Sequence, residues 1–525
     1  MILGGHMQKD LENYKARDLQ QRARAKWTSD GDDNTAFFHG SVNKRKATNA
    51  IHGLLINNEW VVKPKKVKKV VFDFFQKNFK EEMPSRPMLD CSFHRKLSEE
   101  DASFLVSKFT MEEVKQATFD CGSDRSPGPD GFNMKFIKRF WSSFEDDFEK
   151  IFNDFYESGR FTRGSASSFI TLIPKIKDPE GLGDYRPINL VGIVSKLVSK
   201  VLANRLKKVT GSVISANQTA FLKDRLILDG PLILNEVLAW AKKARYKAFL
   251  LKIDFAKAYD NVNWEFVDSV MRQLGFPSRW CSWVGGILSS ARSSVLVNGS
   301  PTFEFACQKG MRQGDPLSPF LFLFVMEAFS SMLRRASRVG AIRGIILPND
   351  GPTLNHLLYA DDCIIIGEWA ERNIKNVALL LRCFYLCSGL KINLKKSSLF
   401  GIGVDSQEVD EMATVLNCNK GVVPFVHVGV LVGARMTRTV NWKSVFEIFD
   451  SRLALWKASM LSLGGRVTLI KSVLESIPNY YFSLFKAPME VINGLEIIIK
   501  RFLWGGNGSV NELHWVGLPG TVSRL

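Results

Sequence analysis

Two adjacent aspartates, Asp361 and Asp362, sit inside "LLYADDCIIIG" (357–367), between two runs of apolar residues. Carboxylates placed in apolar surroundings are costly unless something compensates them. The runs 357–359 and 363–367 fit two strands of a tight hairpin, whose turn at 360–362 would project both carboxylates from a sheet edge. A third aspartate, Asp254, closes "KAFLLKIDF" (247–255), another strongly apolar strand pattern. Taken singly, the pair reads equally well as a solvated turn, and Asp254 as a strand terminator or a cap of the next helix. Together, carboxylates from two neighbouring strand ends supply what a divalent-cation site needs. Mg²⁺ is a hard ion that takes oxygen ligands, usually one or two carboxylates completed by phosphates and water. Two such ions, roughly 3.5–4 Å apart, activate an attacking 3′-hydroxyl and stabilise a leaving pyrophosphate.

The elements that must hold these groups can be read along the chain. Its 525 residues suffice for two to four domains and a large core. With 71 Lys and Arg against 53 Asp and Glu the net charge is +18, which favours a polyanionic partner, nucleic acid ahead of anionic membrane. The opening "MILGGHMQKDLENYK" lacks a basic segment followed by an apolar one, so no signal peptide is expected. "FLFLFVMEAF" (320–329) is too short to span a bilayer and carries Glu327, and reads as a buried helix. Eight scattered cysteines show no zinc spacing and fit reduced, mostly buried thiols in an intracellular protein.

Residues 8–28 read as a solvated helix. In 63–79, Val67, Val70, Val71, Phe74 and Phe75 recur at helical spacing, so this lysine-rich stretch reads as a basic-faced amphipathic helix rather than a localisation signal. Capped helices flank a turn at 127–131. A strand is expected at 169–176, a helix at 191–210, a strand at 247–255 and a helix at 263–274. Segments 293–297 and 302–305 read as a hairpin turning at Asn298–Gly299, and helices dominate from 441 onward. Strands and helices mix without strict alternation, which predicts an α+β fold with an antiparallel sheet.

In this order the motifs resemble the reverse transcriptases of non-LTR retrotransposons, of the LINE type found in plants. "LLYADDCIIIG" resembles the YxDD box, "LLKIDFAKAYDNVNW" the preceding aspartate box, and "KGMRQGDPLSPFLF" the nucleotide-binding box between them. "FITLIPKI" with "DYRPINL" resembles the fingers motif, and "SPGPDGF" the family's amino-terminal extension. "SGLKINLKKSSLFGI" resembles the motif after YxDD, and "WKASMLSLGGRVTLIKSVLESIPNYY" the plant-type thumb. The resemblance implies a right-hand polymerase: a helical amino-terminal extension (1–165), fingers and palm (166–433), a helical thumb (434–495) and the start of a carboxy-terminal segment (496–525).

It also implies roles, residue by residue. Asp254 and Asp361 would bind metal with help from the Phe255 carbonyl, and Asp362 would be the catalytic-turn partner. Tyr259 matches the aromatic gate against a ribose 2′-hydroxyl. Gln313 matches the residue that meets the incoming sugar and base, while Gly314 permits close backbone approach and Asp315–Pro316 reads as a helix cap and first turn. Lys175 and Arg186 match cations that meet the triphosphate, and Lys396 the lysine that protonates pyrophosphate. The implied cofactor is a pair of Mg²⁺ ions, with Mn²⁺ able to substitute. The implied partners are an RNA template, a DNA primer and dNTPs, with no membrane, in the nucleus where DNA is made.

Two features depart from the family pattern. "HVGVLVGA" (427–434) stands where the primer grip reads like YLGVPIG, so His427 replaces an aromatic and Leu431 a proline. No endonuclease-like segment is expected before the polymerase motifs, and no Cys/His-rich or ribonuclease H segment after them. An RNA-directed DNA polymerase is expected. The alternative is a decayed or co-opted copy that binds RNA without polymerising. An RNA-dependent RNA polymerase is disfavoured by Tyr359–Ala360 before the aspartates and by Tyr259.

Overall fold

The computed structural model describes residues 35–504 apart from 57, 84, 92, 163, 349, 350 and 456–460. The helix expected at 8–28 and the segment 505–525 lie outside the described residues. The chain forms two compact units: residues 51–423, and residues 35–50 together with 424–504.

The first unit is α+β and carries two principal sheets. Its main strands are β1 (Ser167–Pro174), β2 (Tyr185–Val191), β3 (Ala248–Ile253), β4 (Arg292–Val297), β5 (His356–Tyr359), β6 (Asp362–Glu368) and β7 (Ser398–Ile402). One sheet runs β5-β6-β3-β7, all antiparallel, with Asn419–Lys420 added parallel to β7. The other sets β1 between β2, antiparallel, and β4, parallel. β3 and β6 are almost continuously buried, which is why their sequences are nearly continuous apolar runs and not alternating ones. Phe249, Leu251, Ile253, Cys363 and Ile365 share one core with the helices Ser318–Arg338 and Glu371–Ser388.

The expected hairpin after β4 turns at Asn298–Gly299, both with positive φ (49° and 82°), the geometry a two-residue turn needs. Its return strand is broken. Ser300–Pro301 and Phe305–Ala306 pair separately with β4, and Asn298 bonds the backbone of Ile51 through both its amide atoms. The basic amphipathic helix forms at Pro64–Asn78 and buries Val67, Val71 and Phe75 beside Ile170, Leu172 and Val295 of the second sheet.

The long helix expected at 191–210 spans Ile193–Val213. The "SPGPDG" loop stops its start. Asp130 accepts from the Ile193 N–H, and a Cβ on Gly128 would lie 2.6 Å from the backbone of Val191 and Gly192. Farther along this helix Arg205, 2% exposed, donates to Glu113 and to the carbonyls of Leu105, Ser107 and Lys108, with Phe109 against its guanidinium. The apolar "FLFLFVMEAF" lies inside Ser318–Arg338 as expected, where buried Glu327 accepts from Arg334 (2.7 Å) and Ser215. That helix begins later than Asp315–Pro316 implied. Asp315 is not its cap: the carboxylate folds back to Leu317 N–H, Ser199 and Arg312, which fixes the preceding loop instead.

In the second unit, Phe425–His427 and Val430–Val432 form a hairpin around Val428 and Gly429. The hydroxyls of Tyr480 and Tyr481 donate to the carbonyls of those two turn residues. Helices Lys443–Leu455, Leu463–Leu469, Asn479–Phe482 and Met489–Trp504 gather Trp442, Phe449, Leu474 and Leu495 into a core of their own. Among the described residues no helix is long and apolar enough to cross a membrane.

Candidate active site

The carboxylates are placed by sheet register. Tyr359 pairs with Asp362 across the β5–β6 hairpin, and Cys363 pairs with Ile253 on β3. One step beyond that last pair, Asp362 and Asp254 come opposite each other at the same sheet end. The hairpin turn is tighter than expected: Ala360 and Asp361 form it, and Asp362 already belongs to β6. Asp254 is fixed by its own backbone, whose N–H donates to Ser397 Oγ (3.2 Å) and whose carbonyl accepts from Asn393 (2.8 Å). Phe255 bridges to Ile392 just beyond.

Electrostatics report the same convergence. The Asp361 carboxyl is pushed above the usual range by surrounding protein and by the Asp254 charge, with Arg186 pulling the other way. Asp362 is raised by burial and then by both other aspartates, with Lys252 opposing. Two carboxyls raised by the acids beside them want a cation. Among the described residues no group of three or more His, Cys, Asp or Glu forms a ready-made metal cage. Two carboxylates open to phosphate and water are nonetheless the donor set Mg²⁺ takes, so these residues fit the ion.

The predicted cations come to the same place. Lys175, at the end of β1, feels the charges of Lys396, Asp260 and Arg186, and burial with its neighbouring cations holds its pKa below the ordinary lysine value. Its ammonium donates to the Gly183 carbonyl at 3.0 Å. Arg186 is exposed on β2, facing Pro174's neighbour Ile173 in register. Lys396 lies in the turn 393–397 that closes on Asp254.

Tyr259 is half-buried in the short helix Ala258–Asn261, with its ring stacked on Phe322 at 4.7 Å and 14°. Burial and the Asp361 charge push its hydroxyl pKa up. A ring braced on one side by Phe322 and near Asp361 is a fixed wall, not a mobile side chain. Gln313 donates to Asp260 (2.8 Å), and its carbonyl accepts from Asn189 N–H on β2 (2.8 Å). Gly314 has φ +104°, and a Cβ there would stand 3.2 Å from the Asn189 carbonyl, so only glycine suits that approach.

Asp260 was not among the residues expected to matter. It is 6% exposed, its carboxyl is raised by burial, and Gln313, Lys257, Lys175 and Lys309 oppose the rise. It ties Gln313 to the aspartate box. Gln218, which bonds the Ala360 backbone, is the other omission. Each acts through a hydrogen bond to a residue far along the chain, for which a single sequence offers no periodic or motif signal.

A family model described as reverse transcriptase (RNA-dependent DNA polymerase) matches residues 173–419, from the end of β1 through β7 and all three aspartates. That stretch belongs to the reverse transcriptases. Within that class its relatives include retrotransposon proteins, and the chain is similar to those of the non-LTR group. It is 24% identical over 517 residues to a 149 kDa transposon TX1 protein of Xenopus laevis, covering 97% of this chain and 38% of the relative. It is 25% identical over 337 residues to the Pol polyprotein of the R2DM retrotransposable element of Drosophila melanogaster, covering 64% and 30%. An uncharacterized mitochondrial protein of Arabidopsis thaliana is 35% identical over 108 residues, 21% of this chain and 88% of that protein. The chain thus spans little more than a third of the first of these relatives and less than a third of the second.

Proposed function

We propose that this chain extends a primer 3′-hydroxyl along an RNA template with dNTPs. The observation that carries the reading is the meeting of Asp254, Asp361 and Asp362 at one sheet end, beside Tyr259 and the cations Lys175, Arg186 and Lys396. In this reading β5-β6-β3-β7 is the palm sheet, β2-β1-β4 belongs to the fingers, and the helices of 434–495 are the thumb. The likeness to an Arabidopsis thaliana protein is consistent with a plant source. A nuclear location follows from the proposed chemistry, and imaging of the tagged full chain tests it.

Asp254, Asp361 and the Phe255 carbonyl would hold the two metal ions. Mg²⁺ bound there supplies Lewis-acid stabilisation of the attacking and leaving oxygens. The rest falls to the chain. Lys175 and Arg186 pair with triphosphate oxygens and orient them, since charge-assisted bonds to phosphate are strong and directional. The Tyr259 ring occupies the space a 2′-hydroxyl would need. Gln313, held by Asp260 and by β2, presents a fixed edge to the incoming sugar and base. Lys396 stands beside Asp254 to give a proton to pyrophosphate as it leaves. Primer extension on an RNA template, with dNTPs or rNTPs supplied separately, tests the reading.

A further inference from the structure

The turn that carries Asp361 contains a residue in an unfavourable conformation. Ala360 has φ +52°, in the left-handed region that costs a non-glycine residue free energy, and it is 6% exposed. Such a residue persists only where its surroundings impose it. Here the two-residue β5–β6 turn calls for positive φ at its first position, and Gln218, 1% exposed and 142 residues away, braces it there. Its Oε1 accepts from the Ala360 N–H at 2.9 Å, and its Nε2 faces the Ala360 carbonyl at 3.5 Å. One side-chain amide therefore brackets the peptide groups on both sides of the strained residue. The same Oε1 also accepts from Ala220 N–H (3.0 Å), which keeps the Gln218 side chain from rotating away.

Gln218 is itself firmly seated. Its segment runs parallel to β5 as an added edge: Leu358 N–H donates to Asn217 (2.8 Å), and Thr219 N–H to Leu358 (3.1 Å). Arg225 donates to the carbonyls of Ile214, Ser215 and Gln218, and buried Glu327 takes both the N–H and the hydroxyl of Ser215.

We propose that Gln218 is a positioning residue for the polymerase reaction: its amide holds Ala360 left-handed and so sets the direction in which Asp361 leaves the sheet. The inference rests on the reading of Asp361 as a metal-binding carboxylate. It does not touch substrate.

Gln218→Met conserves volume but cannot accept either N–H, so Ala360 should relax away from φ > 0. The expected result is a fall in kcat of about tenfold, which is 1.4 kcal/mol, with the KM for dNTP and the affinity for template nearly unchanged. Ala360→Gly added to it should recover much of the loss, because glycine adopts φ > 0 without a clamp. A merely structural role for Gln218 would not be rescued in this way. Gln218→Asn keeps the amide but is one methylene short, and gives the same reading should the methionine variant not fold. Mn²⁺ affinity, titrated on the full chain without nucleic acid, should weaken in Gln218→Met and recover in the double variant. A wild-type chain that extends no primer would defeat the polymerase reading, and the Mn²⁺ titration would then decide this one alone. Wild-type kcat and Mn²⁺ affinity in Gln218→Met, or a double variant no better than the single, would overturn it.

Discussion

At the scale of single residues, side chains divide into those that act by charge and those that act by volume. Tyr259 acts by volume. Its ring is braced flat against Phe322, so Tyr259→Ala should open room for a ribose and lower dNTP-over-rNTP selectivity by orders of magnitude, while dNTP use changes less. The ratio of kcat/KM for the two nucleotide types reads this directly, and an unchanged ratio would make Tyr259 a packing residue. Asp254, Asp361, Asp362 and Tyr259 were legible in the sequence because each lies in an apolar strand or a motif of fixed spacing. Asp260 and Gln218 were not, because their meaning depends on partners 53 and 142 positions away. Asp315 was misplaced for a related reason. A cap is local, but its carboxylate is claimed by Ser199 and Arg312, which draw it from the helix start.

Secondary-structure elements owe their placement to a few buried polar groups as much as to apolar packing. Arg205 ties the helix Ile193–Val213 to the segment 105–113 by charge-assisted bonds from a guanidinium that is itself buried. Arg205→Ala leaves those carbonyls and Glu113 without their donor, and should destabilise the first unit by about 3–5 kcal/mol. Chemical denaturation reads the loss, and Arg205→Lys should not restore stability, since an ammonium cannot serve so many acceptors at once.

His356, at the start of β5, is fully buried, donating to or accepting from Ser330 and Asn355 at 2.7 and 2.6 Å. Burial first, and then the Arg334 charge, lower its pKa from 6.5 to about 3. The unfolded chain therefore binds a proton that the folded one refuses. Its stabilising contribution is present above pH 6.5 and is lost as pH falls, by about 2 kcal/mol between pH 7 and 5. In His356→Gln that part of the pH slope should vanish. The strands and helices expected at 169–176, 191–210, 247–255 and 263–274 form within a few residues of those bounds, whereas the strand Tyr185–Val191 and the helices Asp229–Lys243 and Glu371–Ser388 were not anticipated. The broken strand after β4 and the edge added by residues 217–220 were not either, because pairing partners far along the chain decide them.

For the whole molecule, the relevant quantity is charge. A net +18 on a chain with cations gathered around the aspartates should make binding to an RNA–DNA hybrid steeply salt-dependent. Each neutralised phosphate contributes about −0.9 on duplex DNA, or about −0.7 on a single strand, to the slope of log affinity against log salt. Titration across salt should give a slope of several units, and a flat response would mean the charges are scattered. Composition disclosed this tendency. It could not disclose that residues 35–50 fold with the carboxy-terminal unit, where Val42 joins the core of Trp442 and Phe449. The central claim is that the sheet-end carboxylates perform nucleotidyl transfer. It is tested most directly by RNA-templated primer extension with Mg²⁺ using wild type and Asp361→Asn, with hybrid binding measured on the same preparations. Extension by the wild type, a loss of at least about 10²–10³-fold in the variant and nearly equal binding by both are predicted. Substantial extension by Asp361→Asn would contradict the account.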